Sequence, residues 1–215
     1  PTAVNPETGF PDGYGPTSAE VLVPAFLAAY QGADPHRVSL NMFPSIKYIR
    51  PNWRVQYEGM VSKIPAFNKV MKTMAFTHAY RSSYTVVSFL TNLNYQADND
   101  GFSYVRDIQN NFLPAWEFNS VSINETFSPL INMDITWIND LTTRGEIKRT
   151  RSMALSFANN QLTEVLSNEY IVGLGYRFTR MDLILKTKNS QRSYSNDLTL
   201  RSEEHTSELQ SRQVI

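Results

Sequence analysis

Residues 168–179 read Asn-Glu-Tyr-Ile-Val-Gly-Leu-Gly-Tyr-Arg-Phe-Thr, and no other stretch constrains the fold as much. Tyr170, Val172, Leu174, Tyr176 and Phe178 share one parity, while Ile171, Gly173, Gly175 and Arg177 share the other. A period of two puts the large apolar and aromatic residues on one face of a strand. The reverse face is small or charged apart from Ile171. Aromatic residues at both ends of an apolar row, over a polar or glycine-rich reverse face, are what a membrane-spanning β-strand shows. A half-buried strand of a soluble sandwich carries the same alternation. The other segments have to decide between the two.

Several segments repeat the pattern. Trp53, Val55 and Tyr57 alternate with Arg54, Gln56 and Glu58. Ile131, Met133, Ile135 and Trp137 oppose Asn132, Asp134 and Thr136. Met74, Phe76, His78 and Tyr80 share a parity, and residues 84–95 continue with β-branched and aromatic types. Val121, Ile123 and Phe127 open an alternation expected to stop at Pro129. Met153, Leu155 and Phe157 lie on one face of the stretch 146–157, and further strand segments fall at 181–185 and 195–200. Polar turns are expected at 96–101, at Asn139 and Asp140, and at Asn159 and Asn160. The sum is roughly seven to nine strands in antiparallel meander pairing.

The N-terminal part differs. Residues 1–51 read as irregular loop around one short helix at about 18–30, with Ser18 as N-cap and Glu20 in the first turn. Pro24 is placed in or near that first turn, where it is tolerated. A connector, with one helical turn, is expected at 65–71.

Composition removes several classes. Of the 215 residues 12% are aromatic, and mean hydropathy is −0.35, which suits short amphipathic strands better than a helical core. Formal net charge is zero, so there is no electrostatic case for a nucleic-acid partner. With no cysteine, thiolate metal sites, disulfides and thiol nucleophiles are excluded. No run approaches the ~18 apolar residues of a transmembrane helix. The chain begins at Pro1 with no basic-then-apolar leader, and it is expected to be the middle of something longer.

The other end breaks the pattern. Residues 201–211 read Arg-Ser-Glu-Glu-His-Thr-Ser-Glu-Leu-Gln-Ser. This resembles the in-frame translation of a common sequencing adapter, with residues 212–215 as index sequence behind it. Residues 201–215 are therefore expected to be artefactual and disordered. Without their two Arg and three Glu the net charge is +1.

The stretches Pro-Asn-Trp-Arg-Val-Gln-Tyr-Glu-Gly (51–59), His-Ala-Tyr-Arg-Ser-Ser-Tyr-Thr-Val (78–86), Phe-Ser-Pro-Leu-Ile (127–131), Asn-Asn-Gln-Leu-Thr-Glu-Val (159–165) and the strand 170–178 resemble the SprA/Sov family. These cell-surface gliding-motility proteins form the outer-membrane translocon of the type IX secretion system in Bacteroidetes. The resemblance covers residues 21–200 and falls in the C-terminal part of the much longer family protein. It implies a very large single-chain β-barrel that conducts folded proteins and is gated by a small outer-membrane barrel and a periplasmic plug. None of this follows from composition or spacing.

The expected fold is thus all-β: antiparallel up-and-down strands over residues 52–200, forming an open segment of a large transmembrane β-barrel. Trp53, Val55, Tyr57, Ile131, Met133, Ile135, Trp137, Tyr170, Val172, Leu174, Tyr176 and Phe178 are the lipid-facing or girdle candidates. Arg54, Gln56, Glu58, Asn132, Asp134, Thr136, Gly173, Gly175 and Arg177 are the lumen-facing candidates. Expected partners are outer-membrane lipid, the remaining barrel strands, secretion-system proteins and secreted cargo. No cofactor, metal or catalytic residue is expected. Expressed alone, the chain should misfold or aggregate through its open edges, and a monodisperse, heat-resistant monomer in detergent would count against this.

Other signals are weaker. His78 near Ser82 and Ser83 lacks a nucleophile elbow or a third group, and reads as structural. Residues 98–101, Asp-Asn-Asp-Gly, resemble half a calcium loop, but Gln96 and Asp107 would occupy its first and last ligand positions. A polar turn is favoured. Asn124-Glu125-Thr126 fits a glycosylation sequon but lies in a strand pattern. Arg144, Lys148, Arg149 and Arg151 form a basic cluster with no interleaved aromatic platform. Arg149 and Arg151 share the parity of Met153, Leu155 and Phe157, and should mark where that strand leaves the hydrocarbon. The alternative to a barrel wall is a soluble or cell-surface all-β binding module, such as a carbohydrate-binding sandwich, with its apolar row buried against a second sheet.

Overall fold

The computed structural model describes residues 6–7, 9–33, 50–99, 101, 103–187 and 190–214; for residues 180, 182–187, 190–195 and 214 it describes the backbone alone. Most of the irregular stretch expected at 33–51 lies outside these residues, as does Asp100. The fold is an antiparallel sheet with one substantial helix. Six strands are ordered β1 (Trp53–Tyr57), β2 (Met71–Val87), β5 (Ser120–Trp137), β6 (Leu141–Ser156), β7 (Gln161–Thr187) and β8 (Ser190–Val214). Every neighbouring pair is antiparallel, and β1 and β8 are edges, so the sheet is open. A separate two-stranded ribbon pairs β3 (Leu90–Thr91) with β4 (Trp116–Glu117).

Tight turns join β5 to β6 and β6 to β7. Asp140 (φ 64°) and Asn160 (φ 51°) take the left-handed conformation that short polar side chains tolerate. Those are the polar connections expected after Trp137 and after Phe157.

Helix α1 (Ala19–Gln31) begins at Ser18 and ends at Gly32, which adopts φ 65° and donates its N–H to the carbonyls of Ala28 and Ala29. Two details differ from expectation. The Ser18 hydroxyl makes no capping bond into the helix and instead accepts from the Gly15 N–H at 3.0 Å. Pro24 sits inside the helix rather than in its first turn, buried on the docking face. There it costs one backbone hydrogen bond and gains apolar contact.

Other boundaries also shift. Residues 84–95 are not one strand, because β2 ends at Val87 and Ser88 turns the chain at φ 56°. The alternation opened by Val121 does not stop at Pro129. β5 runs on to Trp137 through an irregularity between Phe127 and Ile131. The missing proline N–H is absorbed there, where pairing is already interrupted. Glu58 lies just past the end of β1 and accepts from Gln56 Nε2 at 2.6 Å. One helical turn, α2 (Met60–Lys63), precedes the connector, which holds a 3-10 turn at Phe67–Lys69.

The expectation of disorder after Leu200 is not met, since residues 201–214 extend β8 along β7. An unpaired strand edge accepts almost any extended segment through backbone hydrogen bonds. Side chains contribute little here. Every residue described from Asn196 to Gln213 is exposed on both faces, with Leu209 at 72%.

Candidate functional site: the two faces of the sheet

Cross-strand register assigns each side chain to a face. Tyr57 pairs with Phe76, Phe76 with Met133, Met133 with Gly145, and Gly145 with Val172. One step along, Met74, Ile135, Thr143 and Leu174 form a second row. Ile131, Ile147 and Tyr170 form a third. All twelve lipid-face candidates therefore lie on one face. The lumen candidates Arg54, Gln56, Asn132, Asp134, Thr136, Gly173, Gly175 and Arg177 lie on the other.

Along β1 and β7 the apolar face is uncovered, and the polar face is mixed: Arg54, Gln56, Asp134 and Arg177 are exposed while a few central residues are enclosed. On the apolar face Val172 is 61% exposed and Leu174 57%, and Trp53, Val55, Ile131, Tyr170, Tyr176 and Phe178 are exposed as well. On the polar face Ile171 is 4% exposed, Glu146 7% and Asn132 7%. In water the hydrophobic effect drives such an apolar row under cover.

The uncovered apolar area has borders. At one end Trp53 stacks on Tyr80 (centroids 4.4 Å apart), and Tyr80 meets Phe127 (4.8 Å). These rings make an aromatic row across β1, β2 and β5. At the other end stand Trp137, whose Nε1 donates to Thr143 Oγ1 at 3.1 Å, and the edge-to-face pair Tyr176 and Phe178. From Tyr170 to Phe178 the strand rises about 27 Å. A barrel tilt shortens that to roughly 20 Å, close to the apolar band of outer-membrane barrels. Trp53, Trp137, Tyr170, Tyr176 and Phe178 are among the lipid-facing or girdle candidates of the sequence, whereas Tyr80 and Phe127 are not.

Beyond the first aromatic row the same face carries a charged belt. Glu125 is buried, and its Oε1 accepts from the hydroxyls of Tyr30 and Tyr80, both at 2.7 Å. Arg50 approaches that oxygen at 3.6 Å, and Arg151 approaches Oε2 at 3.8 Å. Arg151 Nε also donates to Glu164 Oε1 at 2.7 Å. Arg149, between Phe127 and Asn168 in register, is exposed at the rim of the apolar area.

Past the belt the face is apolar again but covered. Val23, Phe26 and Leu27 of α1 pack on Val121, Ile123, Met153 and Leu155. Burial, followed by the hydrogen bond to Glu125, pushes the Tyr30 hydroxyl well above its ordinary value. Burial alone pushes Tyr84, under the helix, up to about 12. A single sheet face thus has a dry half under α1 and a half that is open along β7, with α2 covering only the β1–β2 corner, where Met74 and Val61 are buried.

The polar face is a lattice of opposite charges. Arg144 pairs with Glu146 (2.6 Å) and approaches Asp134 (3.9 Å), while Lys148 bridges Glu146 (3.9 Å) and Glu169 (3.4 Å). Arg177 pairs with Asp197 at 2.5 Å. The basic cluster of the sequence is therefore split by parity, with Arg144 and Lys148 on this face and Arg149 and Arg151 on the other. Gly173 and Gly175 leave this face thin: a Cβ on Gly175 would lie 2.5 Å from Thr142 Oγ1.

The remaining candidates have local partners. His78 Nδ1 donates to the Leu130 carbonyl at 2.6 Å, and its ring lies near those of Trp53 and Phe127. Asn124 sits mid-strand and accepts from Ser152 Oγ at 2.6 Å. Asp98 and Asp107 accept backbone N–H groups within their own turns. Among the described residues no group of three or more His, Asp or Glu could hold a metal. A cavity of about 290 Å³ lies beside the α1 N-terminus, lined by residues including Trp116, Phe118 and Glu117. In comparisons with known proteins, no family model and no curated protein matches the chain.

Proposed function

We propose that this chain is a wall segment of a protein-conducting outer-membrane β-barrel, serving type IX protein secretion and gliding motility. The supporting observation is the uncovered apolar row of β7, with Val172 and Leu174 open on one face while the other face carries the ion pairs Arg144–Glu146 and Lys148–Glu169. An uncovered apolar face bordered by aromatic rows suits hydrocarbon, and a charge-balanced polar face suits a water-filled lumen. The role is non-enzymatic and needs no cofactor. The wall supplies a low-friction, charge-compensated surface to passing protein, and the driving energy comes from elsewhere. The translocation role rests on the sequence resemblance, whereas the membrane role rests on the sheet.

The belt sets a level. Trp53, Tyr80 and Phe127 lie at the hydrocarbon boundary, Arg149 reaches phosphate headgroups, and α1 lies outside the bilayer against the barrel's outer surface. In the alternative reading, a surface-exposed β-module, the apolar area would need a second sheet over it.

The test is in-frame disruption of residues 120–178 in the source bacterium. Secreted cargo should accumulate in the periplasm, gliding should cease, and the wild-type product should fractionate with the outer membrane. A wild-type product in a soluble fraction, with secretion unchanged in the disrupted strain, overturns the reading.

A further inference from the structure

The apolar face of the sheet does not end at an edge; it ends at a point in the sequence. In register, Phe178 pairs with Leu198 and Tyr176 with Leu200. Leu200 continues the row Leu141–Tyr176 onto β8, and Leu198 extends the apolar face beside Phe178. The next positions of β8 on that face are Ser202 opposite Leu174, Glu204 opposite Val172, Thr206 opposite Tyr170 and Glu208 opposite Asn168. The row Tyr57–Phe76–Met133–Gly145–Val172 thus terminates on a glutamate. The change falls between Leu200 and Arg201, with no bulge or register shift there.

The polar face cannot discriminate in this way. Glu203 approaches Arg144 (4.0 Å) and His205 approaches Glu169 (3.4 Å), and a charged lattice accommodates many polar neighbours. The apolar face can, because a carboxylate centred on an uncovered apolar band is costly in hydrocarbon. In water the same placement would be unremarkable, so the inference rests on the barrel-wall reading.

We infer that residues 201–214 are not the native neighbour of β7, and that its edge from Tyr170 to Gly175 is a docking surface for a different β-strand of the same protein. That strand continues directly from Leu200. It carries apolar side chains at positions 202, 204 and 206, opposite Leu174, Val172 and Tyr170, and polar or small ones at 201, 203 and 205. Its apolar residues complete the band, and its backbone pairs as the present segment does.

The test is to sequence the genomic locus across codon 200 by a method that ligates no adapter. The expected result is a frame that departs from the present sequence at codon 201, with apolar codons at 202, 204 and 206 alternating with polar ones. Genomic codons for residues 201–215 as they stand overturn the inference. So does a departure at codon 201 into sequence without that alternation. Either failure leaves the barrel-wall reading to be judged separately, by lipid exposure of Val172 and Leu174.

Discussion

Val172 decides between water and lipid at the level of one side chain. It is 61% exposed, so in a soluble protein its replacement by Lys would change stability by no more than about 0.5 kcal/mol. Facing hydrocarbon near mid-band, the same V172K change costs about 2–4 kcal/mol. Denaturant titration of the membrane-folded protein should show the larger loss, and a change near zero would remove the lipid assignment. Tyr30 makes a second prediction, outside the membrane. Its hydroxyl is held protonated above its ordinary value of 10.0, first by burial and then by Glu125. A raised folded pKa means that the stability is fully present below pH ~10 and is lost as pH rises beyond it, because the unfolded tyrosine ionises first. Helix α1 should therefore loosen in alkali. Y30F should reduce this loosening while Tyr84 retains its share, and amide exchange in α1 against pH measures it. Glu125 shares the parity of Val121, Ile123 and Phe127, a signal that the sequence reading passed over. Its two tyrosine partners were not legible, because Tyr30 and Tyr80 lie 95 and 45 residues away in sequence.

Among the elements, α1 is the one that local periodicity could place but not dock. The sequence marks its start at Ser18 and its stop at Gly32, although Ser18 serves through its backbone carbonyl, which accepts from the Leu22 N–H, and not through its hydroxyl, while Gly32 takes the left-handed turn as its residue type allows. That its buried side meets Val121, Ile123, Met153 and Leu155 is a long-range packing fact with no local signature. Phe26, 4% exposed, anchors this contact. F26A should cost about 3–5 kcal/mol of local stability. Hydrogen exchange should rise across α1 while the amides of β7 at 170–176 keep their protection. Equal loss of protection in both would mean that the helix holds the whole sheet together rather than covering one end of it. Strand interiors were legible because period two is local, which is why the alternations 53–57 and 170–178 stand as expected, although β6 begins at Leu141 rather than at 146 and the segment 181–185 belongs to β7. Strand ends were less so. Pro129 reads as a breaker, yet β5 passes through it at a bulge, and residues 84–95 read as one strand although Ser88 turns the chain.

For the molecule as a whole, the open antiparallel sheet was legible in the sequence, and the division of its apolar face was not. One half is dry beneath α1, the other is open along β7 with α2 over its β1–β2 corner, and an aromatic and charged belt separates them. That division follows from where α1 lands, and on the barrel-wall proposal it would set the depth of the sheet in a bilayer. The central claim is that the open half faces lipid, and it can be read strand by strand. Residues 1–215 hold no cysteine, so each one introduced is the single spin-label site within this segment. A single-cysteine scan over residues 168–178 in the membrane-assembled protein, comparing collisions with oxygen and with a water-soluble nickel chelate, is the most direct measurement. The account predicts a period of two, with positions 170, 172, 174, 176 and 178 accessible to oxygen and shielded from nickel, and positions 171, 173, 175 and 177 the reverse. Even-numbered positions shielded from both reagents would mean that protein covers the band, and the account would fail.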